Sequence, residues 1–203
     1  MTPPETIPAL VLASASPRRT ELLARIGLPH RVDPAHVDES VRPGEPAIAY
    51  VRRLAEAKAR AVADRHPGAV VVAADTTVIL DGEILGKPAD AADARAMLER
   101  LAGRSHVVAT AVAVARGDRV VAAVDEATVH MRAAGPEAIA AYVATGEPLD
   151  KAGAYGIQGF GGTLVDGIAG DYHAVMGLGL ATTVRLLGEV GLAYHFAAGL
   201  RER

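Results

Sequence analysis

The stretch that decides the fold reads ALVLASASPRRTELLARI, residues 9–26. Its apolar start, residues 9–13, predicts a buried strand, and the amphipathic continuation from Thr20 to Ile26 predicts a short helix. Ser16 is a favoured N-cap residue and Pro17 a favoured first helical residue, so the helix is expected to begin there. A strand, a tight loop and a helix in this order are the opening of an α/β fold.

Arg18 and Arg19 fall in the first turn of that predicted helix, where the helix dipole disfavours cations. Their position makes sense if an anion binds there, because exposed N–H groups at a helix start favour phosphate or carboxylate. The alternative is two solvated arginines on a surface helix. The segment alone favours neither interpretation.

Strands and helices alternate along the rest of the chain. The patterns predict a helix over Pro46–Arg65, a strand over Ala69–Ala74 that ends at Asp75, a hairpin of Val78–Leu80 and Glu83–Leu85, a helix over Asp90–Leu101 capped by Asp90, strands over His106–Ala115 and Val120–His130, and helices over Pro136–Ala144 and Gly177–Val190. This mixture of β-α-β units and hairpins predicts an α/β fold with a mixed sheet. Its size fits one domain over residues 1–203.

Composition narrows the classes of function. The chain has 203 residues, half of them hydrophobic, with a net charge of −3, which argues against an extended nucleic-acid surface. It has no Cys, so a disulfide, a thiolate metal site and a thiol nucleophile are excluded. The apolar runs are too short to span a bilayer, and the first residues lack the pattern of a signal peptide. We therefore expect a cytoplasmic protein without membrane or nucleic-acid partners.

Two charged residues interrupt apolar patterns. Lys58 lies inside the apolar stripe of the long predicted helix, where it either snorkels to solvent or points into a cleft and holds an anion. Asp75 follows a predicted buried strand, at the edge where open α/β sheets collect ligands. The alternative interpretation is that Asp75 is a turn or cap aspartate. Glu39 in a loop and Lys87 after the hairpin are ordinary surface charges when each is considered alone.

Together these residues and the arginine pair make one chemical set of cations and carboxylates. The cations suit a polyphosphate, and two carboxylates suit a magnesium ion that keeps several waters and binds substrate phosphates. Asp75 can then orient or deprotonate a water molecule. The glycines that concentrate between Gly146 and Gly179 match no common phosphate motif, and tight turns explain them best.

A series of short motifs follows the chain in order. They are LASASPRR at 12–19, VDE at 37–39, LAEAKA at 54–59, ADT at 74–76, LGKP at 85–88, the segment His106–Thr110, and GEPLDKAGAYGIQG at 146–159. In this order the chain resembles the Maf family of nucleoside triphosphate pyrophosphatases, from about Leu10 to Leu180.

The resemblance implies an elongated Maf/ITPase-like α/β fold, with a mixed sheet flanked by helices and a central cleft between two lobes. It implies hydrolysis between the α and β phosphates of a nucleoside triphosphate, with Mg²⁺ or Mn²⁺ as cofactor. By this resemblance Asp75 is the catalytic carboxylate and a metal ligand, and Glu39 is the second metal ligand. The implied triphosphate ligands are Ser14, Arg18, Arg19, Lys58 and Lys87. A homodimer is also implied.

The branch of the family is indicated by three positions. One branch resembles enzymes for dTTP and UTP, and another prefers 7-methyl-GTP and typically carries a Trp at the position of Arg18. This chain has no Trp, and Thr76 and Gln158 resemble the pyrimidine branch. The Gln158 amide offers a donor and an acceptor to the O4 and N3 edge of uracil or thymine.

Three alternatives stay open at this stage. The sequence favours hydrolysis of dTTP and UTP, and the alternatives to it are a 7-methyl-GTP pyrophosphatase, a non-catalytic nucleotide-binding regulator of cell division, and a phosphotransferase that uses the same pocket. Turnover of the canonical and modified triphosphates distinguishes them.

Overall fold

A computed structural model describes residues 8–202 of the chain. Its strands are β1 Leu10–Leu12, β2 Arg31–Val32, β3 Val70–Leu80, β4 Glu83–Leu85, β5 Ser105–Arg116, β6 Arg119–Met131, β7 Val165–Ala169, β8 Leu192–His195 and β9 Gly199–Glu202. Its α-helices are α1 Pro17–Arg25, α2 Ala47–Ala63, α3 Ala91–Leu101, α4 Pro136–Ala144, α5 Tyr172–Met176 and α6 Leu180–Glu189. Three short 3₁₀ helices lie between α4 and β7, at Glu147–Asp150, Ala152–Ala154 and Gly159–Leu164.

Seven of the strands form a mixed sheet in the order β2-β1-β3-β5-β6-β7, with β4 paired to β3. β1 runs parallel to both β2 and β3, whereas the β3–β4 and β6–β7 pairs are antiparallel. The predicted α/β class with a mixed sheet is therefore confirmed. No helix within residues 8–202 has the length and apolar character needed to cross a membrane.

The chain divides into two compact units. The first contains the residues up to Asp75, Thr110–Asp125 and the residues from Gly177 onward, and the second contains Thr76–Ala109 and Glu126–Met176. In the first unit, β1 and the opening of β3 are buried, as are leucines of α1, α2 and α6. In the second unit, a separate apolar core joins side chains of α3 and α4 to β-strand residues such as Val78 and Val129.

β3 is longer than the sequence predicted. The expectation that a strand ends at Ala74, with Asp75 at its carboxyl end, is wrong, because β3 continues from Val70 through Asp75 to Leu80. Thr76 and the residues up to Ile79 are all β-branched and favour extended backbone. The strand ends only at Asp81 and Gly82, where φ reaches 54° and 84° and forms the predicted hairpin turn.

The other predicted elements are confirmed, most of them with ends shifted by one to three residues, while β4 and α4 have the predicted ends. Asp90 caps α3 by accepting hydrogen bonds from the N–H groups of Ala92 and Asp93. The last predicted helix begins three residues late, at Leu180, and the separate short helix α5 lies just before the predicted range, at Tyr172–Met176. The antiparallel β8–β9 hairpin was not predicted.

Candidate active site

The loop between β1 and α1 is organised by a buried serine. Ser14 Oγ accepts a hydrogen bond from the Ser16 N–H at 3.2 Å and another from Arg19 Nη1 at 3.0 Å. Ser16 does stand at the N-cap position before Pro17, but its side chain makes no capping hydrogen bond. Ser16, the predicted N-cap, therefore takes part in the loop through its backbone, and Ser14 supplies the side-chain acceptor.

Arg19 is held from two directions within the first unit. Its Nη1 donates to Ser14, and its Nε donates to the carbonyl oxygen of Gly177 at 2.8 Å. Burial lowers the pKa of Arg19, while the negative charge of Asp75 opposes that shift. A guanidinium stays protonated in proteins, so this arrangement fixes a permanent cation beside the β1–α1 loop. Arg18 lies next to it in the first turn of α1 and is half-exposed.

Lys58 joins the two carboxylates that the sequence singled out. Its Nζ lies 2.7 Å from Asp75 Oδ1 and 2.7 Å from Glu39 Oε1. The side chains of Lys58 and Asp75 are each 11% exposed, whereas that of Glu39 is 55% exposed. The ammonium is thus buried in an ion pair rather than extended into solvent, so the snorkelling alternative is wrong.

The protonation of Asp75 reflects two opposing effects. Burial raises the pKa of this carboxyl above its ordinary value, and the ammonium of Lys58 and the guanidinium of Arg19 partly offset the increase. Glu39 adds to the increase through like charge. A carboxylate with a raised pKa next to fixed cations is a typical arrangement for a general base.

Two carboxylates of the first unit are suited to hold a metal cation that also binds a substrate. Within residues 8–202 there is no cluster of three or more His, Cys, Asp or Glu side chains able to hold a metal. Glu39 and Asp75 nevertheless both contact the ammonium of Lys58, so one oxygen of each carboxylate faces a common point. Mg²⁺ in phosphate-transfer sites commonly takes one or two carboxylates, waters and phosphate oxygens, and this pair matches that requirement.

The remaining predicted residues belong to the second unit. Thr76 follows Asp75 on β3 and is half-buried, and Lys87 is exposed just after β4. Gln158 is half-buried with extended backbone (φ −98°, ψ 159°) immediately before the third 3₁₀ helix. The carbonyl of Gly86 accepts a 3.0 Å hydrogen bond from the Gly153 N–H, which ties the Lys87 segment to the glycine-rich segment.

The glycine-rich segment forms tight turns, as the sequence predicted. Gly146, Gly153 and Gly159 have φ values of 77°, 68° and 73°, and 3₁₀ helices connect them.

The sequence analysis did not single out two groups that take part in these regions. They are the side chain of Glu147 in the glycine-rich segment and the carbonyl of Gly177 in the first unit. Glu147 was visible as the first of two acidic residues in the motif over 146–159, while nothing in the sequence marked the Gly177 carbonyl.

In the first unit the structure therefore brings together Ser14, Arg19, Glu39, Lys58 and Asp75. Two carboxylates, an ammonium and a guanidinium can activate a water molecule and neutralise phosphate oxygens. This is the chemistry of phosphate-ester or phosphoanhydride hydrolysis.

Comparison with known proteins places the chain among relatives of similar length. The family model of Maf-like protein matches residues 9–190. A dTTP/UTP pyrophosphatase of Symbiobacterium thermophilum is 52% identical over 182 residues, covering 90% of this chain and 94% of the relative. Proteins of the same name from Anaeromyxobacter sp. Fw109-5 and Myxococcus xanthus are 56% and 55% identical, over 90% and 93% of this chain and 89% and 96% of theirs.

A solved nucleoside-triphosphatase, described as a dITP/XTP pyrophosphatase from Mycobacterium abscessus, is 16% identical over 89% of this chain and 94% of its own, with a TM-score of 0.42. That overlap is too loose to bear on the fold or on the chemistry of the site.

Proposed function

The chain belongs to the family of Maf-like proteins, and from that membership we propose that it hydrolyses dTTP and UTP between the α and β phosphates. Water attacks the α phosphorus, the bond to the bridging oxygen breaks, and the nucleoside monophosphate and pyrophosphate are released. The observation that carries the proposal is 52–56% identity to dTTP/UTP pyrophosphatases over about nine-tenths of the chain.

We assign the proton transfer to Asp75. Its burial raises its affinity for a proton, and Lys58 and Arg19 keep the carboxylate available as a base. The proton of the attacking water passes to a carboxylate oxygen of Asp75 as the bond to phosphorus forms. This role is supported by the 2.7 Å contact that fixes Asp75 against Lys58.

We assign the binding of the triphosphate to Ser14, Arg18, Arg19, Lys58 and Lys87. Arg19 is already oriented by Ser14 and Gly177, so little side-chain freedom is lost when it binds phosphate oxygens. Lys58 lies between the two carboxylates and can transfer one of its contacts to a phosphate. Thr76 and Gln158 are proposed to contact the base, with Gln158 pairing to the O4 and N3 edge of the pyrimidine.

Glu39 and Asp75 would hold a divalent cation, Mg²⁺ or Mn²⁺. When bound, the cation neutralises phosphate charge and orients the substrate. A cytoplasmic location and a homodimer are also parts of the proposal. The location rests on the composition and the sequence patterns, and the homodimer rests on family resemblance alone.

The test is pyrophosphate release with Mg²⁺, and separately with Mn²⁺, across the canonical triphosphates, 5-methyl-UTP, pseudo-UTP and 7-methyl-GTP. Faster turnover of dTTP and UTP than of the purines supports the proposal. A preference for 7-methyl-GTP keeps the reaction and overturns the branch. Binding without turnover of any triphosphate overturns the reaction and favours the regulatory alternative, and stable phosphate transfer to an acceptor favours a phosphotransferase.

A further inference from the structure

The backbone that follows Gln158 is bound to one carboxylate. Glu147 Oε2 accepts a hydrogen bond from the Phe160 N–H at 2.9 Å, and Glu147 Oε1 accepts from the Gly161 N–H at 2.9 Å. Both donors lie within three residues of Gln158. The third 3₁₀ helix therefore starts directly on the Glu147 side chain.

Tyr142 connects the same carboxylate to the core of the second unit. Its hydroxyl donates to Glu147 Oε1 at 2.9 Å and accepts from the Gly156 N–H at 3.2 Å. Tyr142 lies on α4 and belongs to the apolar core of that unit. The segment is thus fixed two residues before Gln158 by the tyrosine and two and three residues after it by the glutamate.

The glycines around Gln158 are required by this arrangement. A Cβ atom on Gly159 would lie 2.6 Å from Glu147 Oε2, and one on Gly161 would lie 2.5 Å from the Tyr142 hydroxyl oxygen. Both distances are below the approach of real side-chain carbons. The glycines let the backbone come close enough to donate to Glu147.

Only an ionised carboxylate satisfies these donors at once. Glu147 faces three N–H or O–H donors, and a carboxylate is an acceptor at both oxygens. Partial burial opposes ionisation, but the N–H groups of Gly161 and Phe160 outweigh it and lower the pKa of Glu147. A glutamine here would aim its own NH₂ group at an N–H donor.

We infer that Glu147 is a positioning residue for base recognition, which holds the backbone of Gln158 so that its amide meets the pyrimidine edge. This inference rests on the proposed function, and it names a residue that sets the specificity of that function for the pyrimidine base. Glu147 itself does not touch the substrate in this scheme. Its effect on the reaction passes through Gln158.

The test compares Glu147→Gln and Gln158→Ala singly and combined, with kcat and KM measured for UTP and CTP. CTP reverses the donor and acceptor at the pyrimidine edge and so reports the reading of the base. We expect Glu147→Gln to raise KM for UTP and lower kcat/KM roughly 10-fold or more, since a charged hydrogen-bond acceptor is lost, and to reduce the UTP/CTP ratio. In the Gln158→Ala background the same change is expected to cost less than about twofold, because coupled residues are not additive.

Glu137→Gln is the matched control, since Glu137 is an exposed glutamate at the start of α4 in the same unit. It is expected to leave kcat/KM and the UTP/CTP ratio unchanged. If Glu147→Gln does not fold, Tyr142→Phe removes one donor to Glu147 and the acceptor of Gly156, and a smaller loss of the UTP/CTP ratio is expected.

Two results overturn the inference while the proposed function stands. One is an unchanged UTP/CTP ratio in a folded Glu147→Gln or Tyr142→Phe variant. The other is an equal loss of kcat/KM from Glu147→Gln in the unaltered protein and in the Gln158→Ala background. Failure of the unaltered protein to release pyrophosphate from any triphosphate overturns the proposed function first, and the inference with it. The unaltered protein is assayed first, so the two failures are distinguished.

Discussion

Lys58 and Asp75 form an ion pair of 2.7 Å in which each side chain is only 11% exposed. An isolated charge at either position would be costly to bury, and Lys58 favours the ionised form of Asp75. Glu39 shares the same ammonium at 2.7 Å from the more exposed side. The proposed base Asp75, its counter-ion Lys58 and the second carboxylate Glu39 therefore form one coupled cluster, and changing any member alters the other two.

Asp75→Asn is expected to reduce pyrophosphate release from dTTP by about 10²- to 10⁴-fold, the range for loss of a positioned general base. The amide keeps the shape of the side chain and cannot take the proton. The measurement is kcat at saturating dTTP and Mg²⁺. Asp81→Asn, at an exposed turn where asparagine accepts the positive φ of 54°, is the control and should retain turnover. Undiminished turnover by Asp75→Asn would refute the assigned role.

Lys58→Met is expected to shift the acidic limb of the pH–rate profile to higher pH. The ammonium lowers the pKa of Asp75, so its removal raises that pKa further, and a higher pH is needed to form the carboxylate. The stability of the fold should also change with pH, because a raised folded-state pKa of Asp75 makes stability fall as the pH rises through it. Breaking a buried ion pair by removing one partner costs about 3–5 kcal/mol. Urea unfolding at several pH values measures this.

Lys87→Met is the control for that experiment. It removes another cation of the proposed triphosphate set, one that is exposed in the second unit. It should raise KM for dTTP without moving the acidic limb. If neither Lys58→Met nor Lys87→Met shifts the acidic limb of the pH–rate profile, the coupling between Lys58 and Asp75 does not govern the reaction.

Glu39→Gln is expected to raise the Mg²⁺ concentration needed for half-maximal activity by roughly tenfold or more, because magnesium strongly prefers carboxylate oxygens. Activity at saturating Mg²⁺ should recover in large part. Glu45→Gln is the matched control: Glu45 lies in the same connection between β2 and α2 but pairs with Arg53 at 2.6 Å. Loss of the Arg53 pair should affect stability and leave the Mg²⁺ dependence unchanged. An identical Mg²⁺ titration for Glu39→Gln would remove Glu39 from the metal site.

Local patterns predicted the elements of the fold more reliably than their ends. β-branched residues and the turn at Asp81 and Gly82 made the hairpin predictable, yet Asp75 was expected to end its strand because an isolated charge interrupts an apolar run. Its partner Lys58 lies 17 residues away in the chain, and that pairing allows a buried strand to continue through a carboxylate. A single-residue signal cannot report a partner of this kind.

The same limit applies to the candidate site. Lys58 and Asp75 were found because each breaks its own local pattern, and the structure shows that they satisfy one another. The contact of Arg19 with the Gly177 carbonyl spans 158 positions of sequence and uses a backbone oxygen that every residue type carries. No sequence pattern distinguishes such an acceptor before the chain is folded.

A buried histidine lies outside the proposed chemistry. His106 on β5 is 3% exposed, and its Nε2 lies 2.7 Å from the Tyr155 hydroxyl oxygen. Within residues 8–202 its Nδ1 is one of two buried side-chain polar atoms without a hydrogen-bond partner. Burial lowers the pKa of His106 to about 4, so the folded protein keeps this ring neutral.

The stability of the fold should therefore depend on pH through His106. The unfolded chain binds a proton at this ring below about pH 6.5 and the folded protein only near pH 4, so its contribution is present above pH 6.5 and is lost as the pH falls. Linkage predicts a decrease of about 2 kcal/mol in the free energy of unfolding between pH 7.5 and pH 5. Urea unfolding of His106→Gln, whose amide accepts from Tyr155 without titrating, should lack this decrease. His36→Gln, at an exposed histidine, should retain it. Equal decreases in the unaltered protein and in His106→Gln would show that the ring does not carry the pH dependence.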